Sequence, residues 1–342
     1  MKAVVFHQHG AADVLKFSEV PTPKIGEEEA LIGVEACGLN HLDLWMRQGL
    51  PGIQIPMPHI PGSEVAGKVV KLGSKVTHVK TGQRVLVAPG ISCGSCPYCR
   101  EGRESICREF KIVGLQINGG YAEYTAVPGK NLIPVSNKLK PEEWAAVPLV
   151  FLTAWHMLIT RGGLKAGESV LIQGGGSGVG SAAIQIAKLC GATVFTTVSS
   201  EEKLKKAKVL GAHWVINYSR RDPADEVRRL TEGRGVDLVF EHIGPATWRD
   251  SMKSLARGGR LVTCGATTGP IVELDLRFFF TRELSVAGCY MGGRRELDEV
   301  LTLVSEGRLK PVVDTVFPLK DAVRAQATME RRNFFGKLVL RV

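Results

Sequence analysis

An alternation of apolar, strand-like runs with helix-like stretches constrains the fold of this chain most strongly. From about residue 151 the apolar runs are SVLIQ, TVFTTV, WVIN, VDLVFE, GRLVTC and LSVAGC, and the first of the helix-like stretches between them are 178–190, 201–210, 224–231 and 247–256. Strands that alternate with helices of this length form βαβ units around a parallel sheet. Residues 151–291 are therefore predicted to form an α/β domain.

The first 150 residues have a different texture. They contain short β-branched runs such as AVVF, ALIGVEACG and RVLVAP, which are punctuated by glycine and proline. This pattern is typical of a mostly β domain of barrel type. Beyond 291 a helix precedes KPVVDTVFPL and GKLVLRV, which resemble the first segment. We therefore expect 1–150 and 292–342 to form one domain.

Charge and apolar content limit the classes of partner. Lysine and arginine total 44 against 34 aspartate and glutamate, a formal charge of +10, but the cations are mixed with acids and form no basic tail. No nucleic-acid-binding signature is present, so we expect the cations to lie on solvated helix faces, with an anionic phosphate ligand as the functional alternative. The start MKAVVFHQHG is unlike a signal peptide, and no run approaches eighteen apolar residues. We expect a cytoplasmic protein with no membrane partner.

Four of the eight cysteines lie within fifteen residues, in the run CGSCPYCREGRESIC. The spacing C-x2-C-x2-C-x7-C allows four thiolates to bind one tetrahedral zinc ion, with no position open for substrate. The alternatives are four free thiols or two disulfides, and disulfides would require an oxidising compartment. The pattern predicts one structural zinc ion, with the ligands Cys93, Cys96, Cys99 and Cys107.

A glycine-rich loop follows the strand SVLIQ and precedes a helix that opens near Gly178. Free N–H groups at a helix N-terminus suit a pyrophosphate, and glycines permit close backbone approach. The strict G-x-G-x-x-G spacing would need a glycine at 177, which is serine here. A merely flexible loop is the alternative. The predicted phosphate-binding residues are Gly175, Gly176, Ser177, Gly178, Val179 and Gly180.

The end of the second strand indicates which dinucleotide binds. NAD sites usually carry an acid there, which bonds to the ribose hydroxyls. Here TVFTTV ends at Val198 and is followed by Ser199, Ser200 and Lys203. Hydroxyls and a lysine would accept a 2′-phosphate, so NADPH is predicted over NADH. Glu201 and Glu202 argue the other way, but at a helix start we expect them to interact with the helix dipole.

The four-cysteine segment, the β-rich first domain and the glycine loop, in this order, resemble the medium-chain dehydrogenase/reductase superfamily. PHIPGSEVAGKVVKLG, TGQRVLV, the AEY segment at 122–124 and GGRLVTCGATTG at 258–269 add to the resemblance. The resemblance implies an oxidoreductase with a GroES-like β-barrel catalytic domain (1–150 and 292–342, with a zinc lobe at 93–107) and a Rossmann doubly wound parallel-sheet domain (151–291). It also implies an active site in a cleft between them, a small-molecule substrate and a homodimer or homotetramer.

The chain departs from the zinc alcohol dehydrogenases of that superfamily at the three positions that hold a catalytic zinc ion. The matching residues here are Asn40, Ser63 and Leu149, and Leu42 replaces the proton-relaying hydroxyl residue. These side chains do not make a zinc site. His41, Asp43 and Glu64 remain nearby as an alternative metal-binding set; orienting a loop is the other interpretation.

Without that metal, the chain looks closer to the quinone oxidoreductase and enoyl-type reductase branch, which shares the N-x-x-D form of Asn40 and Asp43. The resemblance implies that Ser199, Lys203, Tyr218 and Arg332 hold the 2′-phosphate. Gly265, Ala266 and Thr267 follow the GRLVTC strand and are expected to border the nicotinamide, because ligands bind beyond the carboxyl ends of such strands.

These observations predict an NADPH-dependent reductase of an activated carbonyl compound, of quinone, enone or enoyl type. Such a substrate spreads the new negative charge over its own π-system, so that Asn40 or backbone N–H groups can support the oxyanion. Asp43 would anchor the segment, and His41 or water would donate the proton. One alternative is a metal-dependent alcohol dehydrogenase. Another is an NADPH-binding regulatory or RNA-binding protein with little activity.

Overall fold

The computed structural model describes all 342 residues, and the chain forms two compact units. The first unit comprises Met1–Leu149, Gly293–Ser305 and Pro311–Val342, and the second comprises Val150–Gly292 and Glu306–Lys310. The expected domain boundary placed all of 292–342 in the first unit, whereas Glu306–Lys310 belongs to the second unit. The last residue of this segment is held in the second unit because the Gln185 side chain donates to the Lys310 carbonyl and accepts from the Lys310 N–H, both at 2.9 Å.

The first unit is built on a mostly antiparallel, seven-stranded sheet. The strands of the whole unit, including those outside this sheet, are β1 (Lys2–Val5), β2 (Lys16–Glu19), β3 (Glu29–Gly38), β4 (Glu64–Leu72), β5 (Arg84–Val87), β6 (Gly90–Ile91), β7 (Lys111–Ile112), β8 (Tyr124–Pro128), β9 (Leu132–Pro134), β16 (Val313–Pro318) and β17 (Lys337–Arg341). The main sheet has the order β16-β17-β3-β4-β5-β9, with β8 also paired to β3. β1–β2 and β6–β7 form separate two-stranded sheets. This is the barrel-type β domain that the turn-rich first segment predicts.

Five helices belong to the first unit: α1 (His41–Gln48), α2 (Pro97–Arg100), α3 (Pro141–Trp144), α10 (Arg294–Ser305) and α11 (Ala322–Glu330). Short 3₁₀ turns lie at Ala12–Val14, Glu104–Ile106, Gly129–Asn131 and Leu319–Asp321. Strand β17 lies inside the sheet, parallel to β16 and antiparallel to β3. Its residues Leu338, Val339 and Leu340 are fully buried, as expected for an interior strand covered on both faces.

The second unit is a six-stranded parallel sheet with the order β12-β11-β10-β13-β14-β15. Its strands are β10 (Ser169–Ile172), β11 (Thr193–Val198), β12 (Trp214–Asn217), β13 (Val236–Glu241), β14 (Leu255–Thr263) and β15 (Ser285–Gly288). Its helices are α4 (Val150–Trp155), which continues as a π-helical segment (His156–Arg161), α5 (Gly178–Leu189), α6 (Glu201–Leu210), α7 (Pro223–Leu230), α8 (Pro245–Ser254) and α9 (Leu276–Phe280). The predicted α/β, doubly wound fold class is confirmed.

The strand order of this sheet reverses at β10. Successive strands β11 and β12 lie on one side of it, and β13, β14 and β15 lie on the other. In open parallel sheets, ligands bind beyond the carboxyl ends of the strands at such a reversal. The turns after β10, β11, β13 and β14 therefore form the candidate ligand-binding edge of this sheet. None of the helices in the chain is long and apolar enough to cross a bilayer.

Candidate functional site

The glycine-rich loop joins β10 to α5, as the sequence predicts. Ser177 is the N-cap of α5, and its hydroxyl accepts from the Gly180 N–H at 2.9 Å. The serine that interrupts the glycine spacing therefore caps the helix. The N–H groups of Gly178 and Val179 have no acceptor in the chain. Unsatisfied donors at the positive end of a 12-residue helix are suited to an anionic oxygen.

Two glycines of this loop are required by geometry. Gly174 has a φ of +61°, a conformation that glycine adopts without steric cost. A Cβ on Gly180 would lie 2.4 Å from the Gly174 carbonyl oxygen, so a side chain there would force the first turn of α5 away from the loop. The close approach of these backbones exposes the helix N-terminus to a ligand.

The turns after β11 and β12 bring three of the predicted cofactor residues to one edge of the sheet. The Tyr218 N–H donates to the Val198 carbonyl at 3.1 Å, and the Ser219 hydroxyl donates to the Ser199 carbonyl at 3.3 Å. Ser200 caps α6 by accepting from the Lys203 N–H at 3.3 Å. Ser199, Lys203 and Tyr218 thus lie at the carboxyl ends of neighbouring strands.

Glu201 has partners other than the helix dipole that the sequence suggested. Its carboxylate accepts from the Asn217 amide at 3.1 Å and pairs with Arg220 at 3.3 Å. The acid closest to the end of β11 is therefore engaged by two side chains from the turn after β12. Sequence analysis missed Arg220 as a cation near this turn, although the Arg-Arg pair in YSRRD was a visible signal.

Gly265, Ala266 and Thr267 lie in the turn after β14. The Thr267 hydroxyl donates to the His242 carbonyl at 3.1 Å, and a Cβ on Gly265 would lie 2.6 Å from the same oxygen. This turn therefore packs directly on the turn after β13. Arg332 belongs to the first unit, in the turn after α11, with a φ of +56°.

Asn40 is the N-cap of α1, and its side chain is used entirely within the first unit. Its amide nitrogen donates to Glu64 at 3.1 Å and to the Gly38 carbonyl at 3.4 Å, and its amide oxygen accepts from Lys337 at 2.7 Å. Its exposed fraction is 6%. Both amide hydrogens therefore face protein acceptors, which differs from the expected role in supporting a substrate oxyanion.

Lys337 is the residue of this network that sequence analysis missed. Its ammonium lies 2.5 Å from a Glu64 carboxylate oxygen and also donates to the Leu39 carbonyl. The exposed fractions of the two side chains are 4% and 0%. The available signal was a lysine at the start of the otherwise apolar run KLVL, since a buried lysine requires a partner.

Asp43 anchors the start of α1. One carboxylate oxygen accepts from the Asn40 N–H and from the Tyr121 hydroxyl, both at 2.9 Å. Burial raises the pKa of Asp43 to about 6, although both hydrogen bonds oppose the shift. Burial, with the Asp43 charge second, also raises the pKa of Cys37 and of Tyr121 well above their ordinary values. The other Asp43 oxygen and the Ser63 hydroxyl are buried without a hydrogen-bond partner.

His41 differs from the other two predicted catalytic residues in its exposure. Asn40 and Asp43 are buried, whereas His41 is partly exposed at the first position of α1. Its ring meets Trp45 edge to face, with centroids 5.5 Å apart. Of the three, His41 is the side chain that a substrate can reach without displacing the core.

The residues around Asn40 do not fit a catalytic zinc ion. Zinc requires thiolate, imidazole or carboxylate donors, and the three expected positions hold an amide, a hydroxyl and a leucine. Of the two nearby carboxylates, Asp43 accepts from the Asn40 N–H and the Tyr121 hydroxyl, and Glu64 accepts from Lys337 and from the Leu149 N–H at 2.8 Å. An ammonium group already provides the positive charge that a cation would bring.

The four-cysteine lobe, residues 93–107, fits a metal ion well. Its four Sγ atoms all lie within 4.8 Å of one another, and three of the separations are 3.5, 3.6 and 3.8 Å. Tetrahedral zinc with Zn–S bonds of about 2.3 Å requires S–S separations of about 3.8 Å. Backbone N–H groups of Ser95 and Cys96 lower the pKa of Cys93 to about 6. The Cys99 backbone N–H acts in the same direction on Cys96, but burial and the neighbouring thiols outweigh it and raise the pKa of Cys96 to about 11. No other group of three or more His, Cys, Asp or Glu side chains in the chain converges in this way.

Two family models match the chain. Residues 26–137 match the alcohol dehydrogenase GroES-like domain, and residues 178–306 match the zinc-binding dehydrogenase domain. The matches fall on the β-rich unit and on the parallel-sheet unit respectively, with the segment Gly293–Ser305 as an overlap into the first unit. The predicted superfamily and the prediction of an oxidoreductase are confirmed.

Two curated relatives and one solved structure cover the whole chain. A NAD-dependent alcohol dehydrogenase of Sulfolobus acidocaldarius is 33% identical, with 100% of both chains covered. An acryloyl-coenzyme A reductase of Sulfurisphaera tokodaii is 29% identical over the same shares. A crystal structure of a NAD-dependent alcohol dehydrogenase superposes with a TM-score of 0.96 at 41% identity, again over 100% of both chains.

Proposed function

Because this chain belongs to the medium-chain dehydrogenase/reductase superfamily, we propose that it is an NADPH-dependent reductase of activated carbonyl compounds, of quinone, enone or enoyl type, that works without a catalytic metal ion. The observation that carries this proposal is the Lys337–Glu64–Asn40 network: Asn40 stands at one of the three positions that match a catalytic-zinc ligand, and its side chain is bonded to the Glu64 carboxylate and the Lys337 ammonium.

The absence of suitable metal ligands selects the substrate class. Zinc stabilises a developing alkoxide by several kcal/mol, and an unactivated ketone needs that help. A conjugated acceptor takes the hydride at its electrophilic carbon and delocalises the electron pair onto its own oxygen. One relative is named an acryloyl-coenzyme A reductase, and an acryloyl group is a conjugated acceptor of this type.

His41 is assigned the proton-donating role, alone or through water. Hydride addition to an enone or enoyl compound leaves an enolate, which must gain one proton to give the saturated carbonyl product. His41 is partly exposed and titratable, whereas Asn40 and Asp43 are buried. Asn40 is assigned a positioning role, since its amide fixes Glu64 and Lys337 beneath the start of α1.

The turns after β11 and β12 support NADPH. Ser199 carries no negative charge, and Glu201 is paired with Arg220. A 2′-phosphate near Ser199, Lys203 and Tyr218 would meet hydroxyl groups and cations, which bind phosphate well. Arg332 is proposed as a further contact. The NAD-dependent relatives make NADH the direct competitor in any test.

The four-cysteine lobe is proposed to hold one structural zinc ion. Four thiolates close the coordination shell, so this zinc would stabilise the lobe and take no part in hydride transfer.

The test combines a metal count with a substrate panel. We expect about one zinc per chain, and NADPH oxidation that is rapid with quinones and enones and slow with simple aldehydes and ketones. About two zinc ions per chain with rapid alcohol oxidation would instead establish a metal-dependent alcohol dehydrogenase, the second candidate, which the names of several relatives favour. Tight NADPH binding with flat rates across the panel would point to a binding role.

A further inference from the structure

A continuous hydrogen-bond chain lies beneath the carboxyl ends of β10, β11 and β13. The Gly174 N–H donates to the Thr197 hydroxyl at 2.9 Å, and this hydroxyl donates to the Gln173 side-chain oxygen at 2.8 Å. The Gln173 side-chain nitrogen donates to the Ser251 hydroxyl at 3.0 Å, which donates to Glu241 at 2.7 Å. Every bond in the chain points towards the Glu241 carboxylate.

The four side chains of this hydrogen-bond network are buried almost completely. Gln173, Ser251 and Glu241 have 0% exposure and Thr197 has 1%. Buried polar groups of this kind cost free energy unless all of them are paired. Each hydroxyl here acts once as donor and once as acceptor, so removal of any one member leaves its neighbours unsatisfied. The arrangement therefore fixes the geometry of the groups at its two ends.

One end of the chain is the glycine loop. Gly174 has its N–H held by the Thr197 side chain, and Gly175 donates to the Thr197 carbonyl at 2.9 Å. Thr197 thus fixes the first two residues of the glycine loop, which leads through Gly176 and Ser177 to the unsatisfied N–H groups of Gly178 and Val179. The orientation of these N–H donors towards a pyrophosphate depends on the position of Gly174 and Gly175 at the start of the loop.

The other end is the turn after β13. The second Glu241 oxygen accepts from the N–H groups of Ile243 at 2.6 Å and Gly244 at 3.1 Å. The Ile243 carbonyl in turn accepts from both the N–H and the hydroxyl of Thr268, each at 2.9 Å. Glu241 therefore also sets the position of the turn that contains Gly265, Ala266 and Thr267.

We propose that Glu241 is a positioning residue that sets both ends of the dinucleotide site at once. It acts on the phosphate loop through Ser251, Gln173 and Thr197, and on the nicotinamide-side turn through the backbone of Ile243 and Gly244. This inference rests on the proposed cofactor site. It adds that two loops 90 residues apart in sequence share one buried carboxylate as their common anchor.

Two dissociation constants, measured for each variant, separate the effect of Glu241 on the phosphate loop from its effect on the nicotinamide-side turn. NADPH reports on both ends of the site, and 2′-phospho-ADP-ribose, which lacks the nicotinamide, reports on the phosphate end only. Thr197→Val and Ser251→Ala should weaken both ligands by the same factor, about tenfold. Thr268→Val should weaken NADPH only, and Glu241→Gln should weaken both, with NADPH the more affected.

Two matched controls distinguish positioning from general loss of stability. Ser254→Ala removes another buried hydroxyl of α8, which donates to the Asp250 carbonyl outside this network, and it should leave both dissociation constants unchanged. Thr197→Ser keeps the hydroxyl and should bind both ligands as the wild type does. The KM for cofactor should rise in the affected variants, while kcat at saturating cofactor should change less than threefold.

Wild-type affinity in Ser251→Ala, or an equal loss in Ser254→Ala, would overturn the proposal. An equal loss of affinity for both ligands in all four network variants would also overturn it. Such a result would show that the network does not act separately on the phosphate loop and on the nicotinamide-side turn. The proposed function is judged separately on the wild type. If the wild type prefers NADH, then NADH and ADP-ribose replace the probes and the same pattern is required. If it binds no dinucleotide, both proposals fail.

Discussion

Two buried acids in the first unit, Asp43 and Glu64, are stabilised by different means. Glu64 lies against the Lys337 ammonium, whereas Asp43 has only neutral donors, Tyr121 and the Asn40 N–H. Removal of the ammonium would leave the Glu64 carboxylate buried without a counter-charge. Burial raises the pKa of Asp43 to about 6. The contribution of Glu64 is therefore tested by substitution of its partner, and that of Asp43 by the pH dependence of stability.

Lys337→Met should lower the free energy of unfolding by about 3–5 kcal/mol, because it leaves the Glu64 carboxylate buried without its counter-charge. Urea unfolding at pH 7 measures the loss. The double variant Lys337→Met, Glu64→Gln should recover a large part of it, since the uncompensated charge is gone. A single variant within 1 kcal/mol of the wild type would show that the pair contributes little.

Asp43→Asn should change how stability depends on pH. Burial raises the folded-state pKa of Asp43 from 3.8 to about 6, so the folded wild type retains a proton that the unfolded chain releases between these values. As pH rises through this window, the wild type should lose stability relative to the variant. The difference should level off above pH 6 at about 3 kcal/mol. A difference that is constant from pH 4 to 7 would contradict the assignment.

Individual helices and strands were predictable where their boundaries have local causes. The start of α5 follows from the glycine loop with Ser177 as cap, and α6 starts after Ser200 for the same reason. The Gln173–Ser251 hydrogen bond joins residues 78 positions apart, and Lys337 reaches Asn40 across 297 positions. Such contacts depend on how strands pair, and no local pattern encodes them. The residue types at Asn40, Ser63 and Leu149 indicate that a zinc ion would lack ligands there, whereas the position of the Lys337 ammonium beside Asn40 depends on the pairing of β17 with β3.

The turn between β11 and α6 should determine the choice of dinucleotide. Ser199→Asp places a carboxylate where a 2′-phosphate is proposed to bind, so the ratio of kcat/KM for NADPH to that for NADH should fall at least about tenfold, or about 1.4 kcal/mol. Steady-state rates with each cofactor measure the ratio. Ser199→Asn has the same shape without the charge and should change the ratio much less. An unchanged ratio in Ser199→Asp would place the 2′-position elsewhere.

The four-cysteine lobe should respond to metal removal as a local folding unit. Cys93→Ser should reduce the zinc content from about one equivalent to a small fraction and increase proteolysis within residues 93–107, because metal binding and folding of such lobes are coupled. A chromogenic zinc assay and mass spectrometry of the fragments provide the readouts. Cys190→Ser, which changes a cysteine outside the lobe, should retain the zinc. Full zinc content in Cys93→Ser would contradict the ligand assignment.

At the scale of the whole molecule, the charge of +10 concerns ligand capture more than stability. A cationic protein attracts anionic cofactors over distances of about 10 Å at 0.1 M salt, and added salt screens this attraction. NADPH carries more negative charge than NADH. Its KM should therefore rise more steeply between 0.05 and 0.5 M potassium chloride, with kcat nearly constant. Parallel salt dependence for both cofactors would show that the net charge has no such effect.

The interior position of β17 also affects how the chain is made. Strand β3 leaves the ribosome early, but β17, its neighbour in the sheet, is synthesised about 300 residues later, with Lys337 following Asn40 by 297 positions. At roughly 5–20 residues per second, β3 waits about 15–60 s for that neighbour, and Glu64 waits as long for its ammonium partner. The parallel-sheet unit is translated during this interval. Nascent chains should therefore complete the second unit before residues Ala36–Gly38 of β3 gain their β17 neighbour.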